Sequence, residues 1–117
     1  MNTILCVDDD QSILQLYYEE LTDEGYKVIL ADGGKEALSK YSEAKPDLVI
    51  LDIRMPGTDG IQTLTAMLAI DRKVKVILST AYPQHKENFM TWGAEAYVIK
   101  SSDLTGLKGK IKEVLAK

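Results

Sequence analysis

The chain has 117 residues, of which 45% are hydrophobic and 27% charged, and its formal net charge is −4 at pH 7. These values fit one globular domain of about 100–200 residues and exclude disordered and collagen-like chains. The single cysteine, Cys6, excludes an internal disulfide, and no apolar run approaches the ~20 residues that span a bilayer. The first residues lack the basic start of a signal peptide. We therefore expect a single domain over residues 1–117, located in the cytoplasm and without membrane contact.

The distribution of charge argues against direct nucleic-acid binding by this domain. Nucleic-acid binders carry a basic stripe, whereas this chain has 18 acidic residues against 14 lysines and arginines. A basic cluster near the end of the chain (Lys108, Lys110, Lys112 and Lys117) suits the exposed face and last turn of a helix. We expect partners other than nucleic acid.

Apolar runs and helical periodicities alternate along the chain. Runs rich in β-branched residues predict five buried strands, and apolar residues three or four positions apart predict a helix after each strand. Gly25 fits the left-handed position that ends the first helix, Ser102 fits the cap of the last helix, and segment 53–59 is expected to be a loop. The predicted strands are Thr3–Val7, Lys27–Ala31, 47–52, 74–79 and 95–99. The predicted helices that follow them are 11–24, 35–44, Gly60–Ile70, 83–92 and a helix after Ser102.

The strict alternation of strands with helices is typical of an α/β fold. Such folds have a parallel sheet, helices on both faces and right-handed crossovers. Segment 48–51 is apolar at every position, as in a central strand that is covered on both faces. Ligands of these sheets bind at the carboxyl ends of the strands, where the topology reverses. The residues that follow the strands are therefore the candidates for function.

Acids, hydroxyls and a lysine follow four of the five predicted strands. Neighbouring acids at this edge would repel one another unless a cation that prefers oxygen ligands, such as Mg²⁺, lay between them. Together with a lysine and a hydroxyl, these acids would form a binding site for a phosphoryl group, with Asp52 as a carboxylate nucleophile. Asp10 is expected to cap the first helix. The residues, strand by strand, are Asp8, Asp9 and Asp10, then Asp52, then Ser79 and Thr80, then Lys100.

Five segments, spread over essentially the whole chain, resemble the motifs of response-regulator receiver domains of two-component signalling. Their combined order and spacing is highly specific, although no single motif would be. The resemblance implies a (βα)₅ flavodoxin-like fold, a doubly wound five-stranded parallel sheet with strand order 2-1-3-4-5. The segments are ILCVDDD at 4–10, PDLVILD at 46–52, MPGTDG at 55–60, STA at 79–81 and GAEAYVIK at 93–100.

The resemblance implies a phosphorylation site that uses a metal. Asp52 would accept a phosphoryl group from a phosphohistidine of a sensor histidine kinase or phosphotransfer protein. Asp9 and Asp52 would bind Mg²⁺ directly, Asp8 would help through a water molecule, and the backbone carbonyl of Arg54 would complete the set. Lys100 would hold a phosphoryl oxygen.

The resemblance also implies a switch. Thr80 would bond a second phosphoryl oxygen, and Tyr97 would turn inward as Thr80 moves. The surface formed by the fourth predicted helix, the fifth strand and the fifth helix would then bind a downstream target protein differently, because a local change of charge shifts the population of two states. A free-standing receiver would act through protein contacts or in a phosphorelay.

Three positions bear on details of this chemistry. Receivers usually have proline after the lysine, often in a cis peptide, where this chain has Ser101. A cis bond to a residue other than proline costs ~2.5–4 kcal/mol, which favours a trans bond and a rearranged loop.

In the family, two positions set the rate at which the phosphoryl group is hydrolysed, and here they hold the bulky Arg54 and Tyr82. Bulk there would exclude the attacking water, so we expect slow self-dephosphorylation.

Three other functions fit the sequence less well. A flavin-binding carrier would need a phosphate-cradling loop after the first strand, where three aspartates would repel the phosphate. A hydrolase of small phosphoesters would need an acid at the position of Arg54, which cannot transfer protons at neutral pH. A receiver-like scaffold for protein interaction that is not phosphorylated usually lacks a key acid or the lysine. This scaffold is the alternative to phosphoryl transfer.

Overall fold

The computed structural model describes residues 2–55, 58–81, 93–101 and 103–117. Within these ranges strands and helices alternate, apart from one pair of two-residue strands in the middle of the chain and the last two strands, between which residues 82–92 lie outside the described ranges. The longest described helix has 13 residues, and none of those described combines the length and hydropathy of a membrane-spanning segment. The elements are β1 (Thr3–Val7), α1 (Gln11–Asp23), β2 (Lys27–Ala31), α2 (Gly34–Ala44), β3 (Leu48–Leu51), β4 (Arg54–Met55), β5 (Thr58–Asp59), α3 (Gly60–Ile70), β6 (Val76–Thr80), β7 (Ala96–Ile99) and α4 (Thr105–Leu115).

Five of the strands form one parallel sheet in the order β2-β1-β3-β6-β7. Since β4 and β5 form a separate antiparallel pair, this order is the predicted 2-1-3-4-5 order of the five long strands. The chain moves outward from β1 to β2 and then crosses back past β1 to β3, so the topology reverses between β1 and β3. In doubly wound sheets this reversal leaves the ligand crevice at the carboxyl ends of the two strands.

An apolar cluster covers each face of the sheet. α1 and α4 pack on one face, and α2 and α3 pack on the other. Successive strand residues alternate between the clusters because of the pleat. Along β1, Ile4 and Cys6 face α1 and α4, whereas Leu5 and Val7 face α2 and α3. The same alternation decides which side chains meet at the ends of the strands.

Segment 53–59, which was expected to be a loop, contains the antiparallel pair of strands β4 and β5. Arg54 pairs with Asp59, and Met55 pairs with Thr58. Antiparallel strands can be joined by two residues, whereas parallel strands need a long crossover, so a ladder fits this short segment. The loop prediction was therefore wrong for these residues.

The last helix begins at Thr105, later than expected. The Asp103 carboxylate accepts hydrogen bonds from the N–H (3.0 Å) and the hydroxyl (2.7 Å) of Thr105, so it satisfies an N–H group of the first turn. Ser102, the predicted cap, and the predicted fourth helix over 83–92 lie outside the described residues. Gly25 has a φ of +96°, which confirms the predicted left-handed end of α1.

Candidate functional site

Backbone pairing at the ends of β1 and β3 brings three acidic side chains together. The N–H of Asp8 donates to the carbonyl of Ala31 (3.1 Å), and the N–H of Asp52 donates to the carbonyl of Val7 (3.0 Å). Each acid therefore continues the sheet by one residue. Asp8, Asp9 and Asp52 each present a carboxylate oxygen, and these oxygens all lie within 4.8 Å of one another.

Lys100 pairs with the two buried acids of this cluster. Its Nζ lies 2.6 Å from Asp8 Oδ2 and 3.1 Å from Asp52 Oδ2, and the two acids are only 1% and 4% exposed. The N–H of Lys100 donates to the carbonyl of Thr80 (2.8 Å), which continues the pairing of β6 with β7. A buried charge without a partner is costly, so Lys100 offsets part of the repulsion between Asp8 and Asp52.

The pKa values of this group reflect burial and pairing. Burial raises the pKa of Asp8 above its usual range, although Lys100 and the N–H of Asp10 stabilise the carboxylate. Burial by itself would lower the pKa of Lys100, but the hydrogen bonds and charges of Asp8 and Asp52 raise it overall. Lys100 is therefore protonated at neutral pH and stands as a cation against the acids.

The donor set fits a small, hard divalent cation. Asp9 is exposed, so a metal bound beside the two buried acids would keep a side open to solvent. Mg²⁺ prefers oxygen ligands and usually keeps several waters beside one or two carboxylates, which matches this arrangement. Arg54, whose carbonyl is expected to complete the set, lies in β4 two residues after Asp52.

Thr80 and Tyr97, the two residues of the predicted switch, share the face of the sheet that α2 and α3 cover. Leu78 and Tyr97 belong to the apolar cluster under α2 and α3, and Thr80 lies two residues after Leu78 on the same strand. Thr80 is fully buried at the end of β6, and Tyr97 is nearly buried in β7. The two side chains are thus on adjacent strands and on one face, as direct coupling requires, and their role as a switch stays a prediction.

Asp10, the third acid after β1, caps α1 as predicted. Its Oδ1 accepts hydrogen bonds from the N–H (2.9 Å) and the hydroxyl (2.6 Å) of Ser12, and these bonds lower the pKa of Asp10. Its own N–H donates to Asp8 Oδ1 (2.9 Å). Asp10 therefore shapes the site by orienting Asp8.

Gly60 has a role that sequence reasoning missed. A Cβ at this position would lie 2.1 Å from the carbonyl oxygen of Asp52 and 2.7 Å from the Cα of Ile53. The N–H of Gly60 donates to the carbonyl of Ile53 (2.7 Å). Only glycine lets α3 begin this close to the backbone that carries Asp52. A glycine as the first residue of an apolar helix, where it is a poor helix former, is the signal that could have indicated this contact.

The peptide bond between Lys100 and Ser101 is trans, since the described residues contain no cis peptide. This agrees with the energetic expectation for serine at this position. Tyr82, which is expected to lie over the mouth of the site, is outside the described residues.

Known proteins are similar to this chain in both sequence and fold. Residues 4–112 match the family described as the response regulator receiver domain. The chain belongs to this family. This receiver domain is 36% identical over 114 residues to sporulation initiation phosphotransferase F of Bacillus subtilis, a match that covers 96% of the chain and 92% of that protein. It is 34% identical to the regulatory protein AtoC of Escherichia coli, where the match covers 98% of the chain and 25% of AtoC.

The structural comparison supports the same assignment. The response regulator protein TrrA of Thermotoga maritima, solved in complex with Mg²⁺ and BeF, is 41% identical with a TM-score of 0.91, over 97% of this chain and 99% of that one. TrrA has also been solved in complex with the histidine kinase ThkA, with 42% identity and a TM-score of 0.90 over 98% of this chain and 99% of that one. The receiver domain therefore functions in phosphorelay signalling of the two-component type.

Proposed function

We propose that Asp52 accepts a phosphoryl group from a phosphohistidine of a sensor histidine kinase or phosphotransfer protein, in a reaction that requires Mg²⁺. The arrangement at the end of β3 carries this proposal. Asp52 stands beside Asp8 and Asp9, with the Nζ of Lys100 3.1 Å from its carboxylate. The complexes of TrrA with Mg²⁺ and BeF and with the kinase ThkA support the cofactor and the donor.

The transfer depends on placement and on neutralised charge. An oxygen of Asp52 attacks phosphorus as the N–P bond breaks, and the imidazole leaves with the electron pair of that bond. Lys100 keeps a positive charge against the phosphoryl oxygens, and buried Asp8 orients Lys100. Asp9, Asp52 and the carbonyl of Arg54 would hold Mg²⁺ directly, and Asp8 would hold it through a water; the bound ion would supply positive charge against the carboxylates and the phosphoryl group.

Phosphorylation changes the surface that this domain presents to a target protein. The hydroxyl of Thr80 bonds a phosphoryl oxygen and Tyr97 turns inward, so the fourth predicted helix, β7 and α4 present a different surface. The shared face of Thr80 and Tyr97 supports this coupling. The target is a protein rather than a nucleic acid, because the net charge is −4. The domain acts as a single unit in the cytoplasm.

We expect Lys100→Ala to retain Mg²⁺ binding, with unchanged or higher affinity, while it uncouples phosphorylation from the conformational change. Lys100 occupies oxygens of Asp8 and Asp52 that lie in the metal site, and it connects that site to the end of β7. Mg²⁺ titration and backbone NMR spectra before and after phosphorylation measure the two effects.

The matched control is Lys108→Ala, which removes an ion pair with Glu20 on the surface (2.9 Å). It should alter neither property, because such pairs contribute little. If phosphorylated Lys100→Ala showed the same spectral change as the unmodified protein, Lys100 would not be part of the switch.

We expect slow self-dephosphorylation. In-line attack needs a water opposite the leaving Asp52 oxygen, and neither Arg54 nor Tyr82 is of a type that orients a water for attack. Arg54→Asn and Tyr82→Glu should therefore speed the decay of the phosphorylated protein, followed by intact mass over time. Unchanged decay in both variants would disprove the shielding role of these side chains.

A further inference from the structure

A small cavity with a mixed apolar and polar lining lies behind the lysine of the phosphorylation site. Its volume is about 170 Å³, and it is bounded by the ends of β6 and β7 and the first turn of α4. The polar part of its lining comes from Tyr17, Ser79, Lys100, Ser101 and Asp103. A water occupies ~30 Å³ in the liquid, so the cavity has room for an ammonium group with several waters.

Two buried hydroxyl groups meet at this cavity. Tyr17 Oη and Ser79 Oγ lie 2.8 Å apart, and their residues are 3% and 2% exposed. One bond between two hydroxyls uses one proton and one lone pair, so three lone pairs stay available as acceptors. Burial raises the pKa of Tyr17 to about 12, so the phenol is neutral at physiological pH. The pair is thus an uncharged acceptor site inside the protein.

The pleat places these hydroxyls and Lys100 on the same face of the sheet. Ile77 and Val98 pack in the cluster under α1 and α4. Ser79 and Lys100 each lie two residues further along, so they share that face with Tyr17 of α1. Lys100 therefore contacts the acidic cluster while it also lines the cavity that holds the hydroxyl pair.

Metal binding competes with the position that Lys100 now occupies. Asp8 Oδ1 accepts the N–H of Asp10 (2.9 Å), and Asp8 Oδ2 lies 2.6 Å from the Nζ of Lys100, so both oxygens of this carboxylate are engaged. A metal bound to Asp52, with a water that reaches Asp8, would compete with the ammonium group, which contacts Oδ2 of each acid. Because like charges at this range repel each other, metal binding favours withdrawal of Lys100 from at least one of the acids.

We propose that the cavity receives the ammonium group of Lys100 when Mg²⁺ occupies the acidic cluster and no phosphoryl group is present. Tyr17 is then a positioning residue, because its hydroxyl, held by Ser79, accepts a hydrogen bond from the displaced lysine and makes metal binding more favourable. Asp103 adds a negative charge to the cavity lining, which favours the cation. The inference rests on the proposed Mg²⁺ site and adds the place to which the competing cation moves.

Mg²⁺ titrations of four forms test the inference: the unmodified protein, Tyr17→Phe, Lys100→Ala and the double variant. We expect Tyr17→Phe to weaken Mg²⁺ binding about two- to tenfold, the range of one net hydrogen bond. In the Lys100→Ala background the same substitution should have no effect, since no ammonium group has to be accommodated. NMR of the unmodified protein should show a new contact between the Lys100 side chain and the Tyr17 ring when Mg²⁺ is added.

Tyr41→Phe is the matched control. Tyr41 is also buried, and its hydroxyl donates to Asp71 (3.0 Å). We expect a comparable loss of stability in this variant with no change in Mg²⁺ affinity, because Tyr41 packs under the other face of the sheet. Ser79→Ala provides a second variant, which should reproduce the weaker Mg²⁺ binding even if Tyr17→Phe does not fold.

Two results would overturn the inference: equal weakening by Tyr17→Phe in both backgrounds, or no weakening with Lys100 present. Neither would affect the proposed phosphorylation site, provided that Asp9→Ala abolishes Mg²⁺ binding. Mg²⁺ binding that survived Asp9→Ala unchanged would contradict the metal site itself, and this inference with it.

Discussion

Asp52→Asn should abolish phosphorylation by acetyl phosphate in the presence of Mg²⁺. Asp52 offers a carboxylate next to the other acids and Lys100, and an amide at this position has no anionic oxygen to attack phosphorus. Loss of a covalent nucleophile typically costs a thousandfold or more, so we expect a loss of at least about that size. Intact mass spectrometry measures it, because the unmodified protein gains one phosphoryl group.

Asp47→Asn is the control for this experiment. Asp47 is an exposed acid at the opposite end of β3, where its Oδ2 accepts the N–H of Thr3 (2.7 Å), so its loss should leave labelling intact. Labelling of Asp52→Asn at the unmodified level would place the acceptor elsewhere. A product stable to hydroxylamine would contradict an acyl phosphate. No labelling of the unmodified protein by any phosphoryl donor would favour a scaffold that is not phosphorylated.

Asp9→Ala should abolish Mg²⁺ binding while the fold persists. Asp9 is the exposed member of the cluster and the one expected to bind the metal directly beside Asp52. Because Mg²⁺ is bound through only one or two carboxylates, loss of one of them should remove measurable binding. It also removes repulsion among the acids, so the metal-free variant should unfold at an equal or higher temperature. Mg²⁺ titration and thermal unfolding without metal provide the two measurements.

Asp10→Ala, at the neighbouring position, should lower stability but retain Mg²⁺ binding. Asp10 caps α1 through Ser12, so its removal should lower the free energy of unfolding by about 1 kcal/mol. Mg²⁺ binding should be largely retained, since the carboxylate of Asp10 is engaged with the helix. A large loss of metal-free stability in Asp9→Ala would mean that Asp9 is structural.

Most of the fold could be predicted from local patterns. Apolar runs and helical periodicity do not depend on distant contacts, so β1 and β2 have their predicted bounds, and Gly25 ends α1 as expected. The short β4–β5 ladder could not be predicted, because two-residue strands carry no periodicity. The start of α4 was missed because the Asp103 carboxylate accepts the N–H of Thr105, the first helical residue, and several polar residues near that point were possible caps.

The sequence by itself determined which residues stand at the functional edge of the sheet. Residues at the ends of parallel strands share one edge in any such fold, so Asp8, Asp52 and Lys100 could be singled out without coordinates. The family motifs supplied the strand order, which puts β1 beside β3 and their acids side by side. These conclusions needed the order of the elements, the pleat and the family motifs, but no coordinates.

Only the tertiary structure decided how these residues are paired. Lys100 lies closer to Asp8 than to Asp52, because backbone pairing and the N–H of Asp10 determine where each carboxylate is held. The sequence marks Tyr17 as a core residue, but its bond to Ser79 joins positions 62 residues apart, and no local pattern encodes such a contact. Contacts between distant segments depend on how helices pack across the sheet, and that packing is set by all of the side chains together.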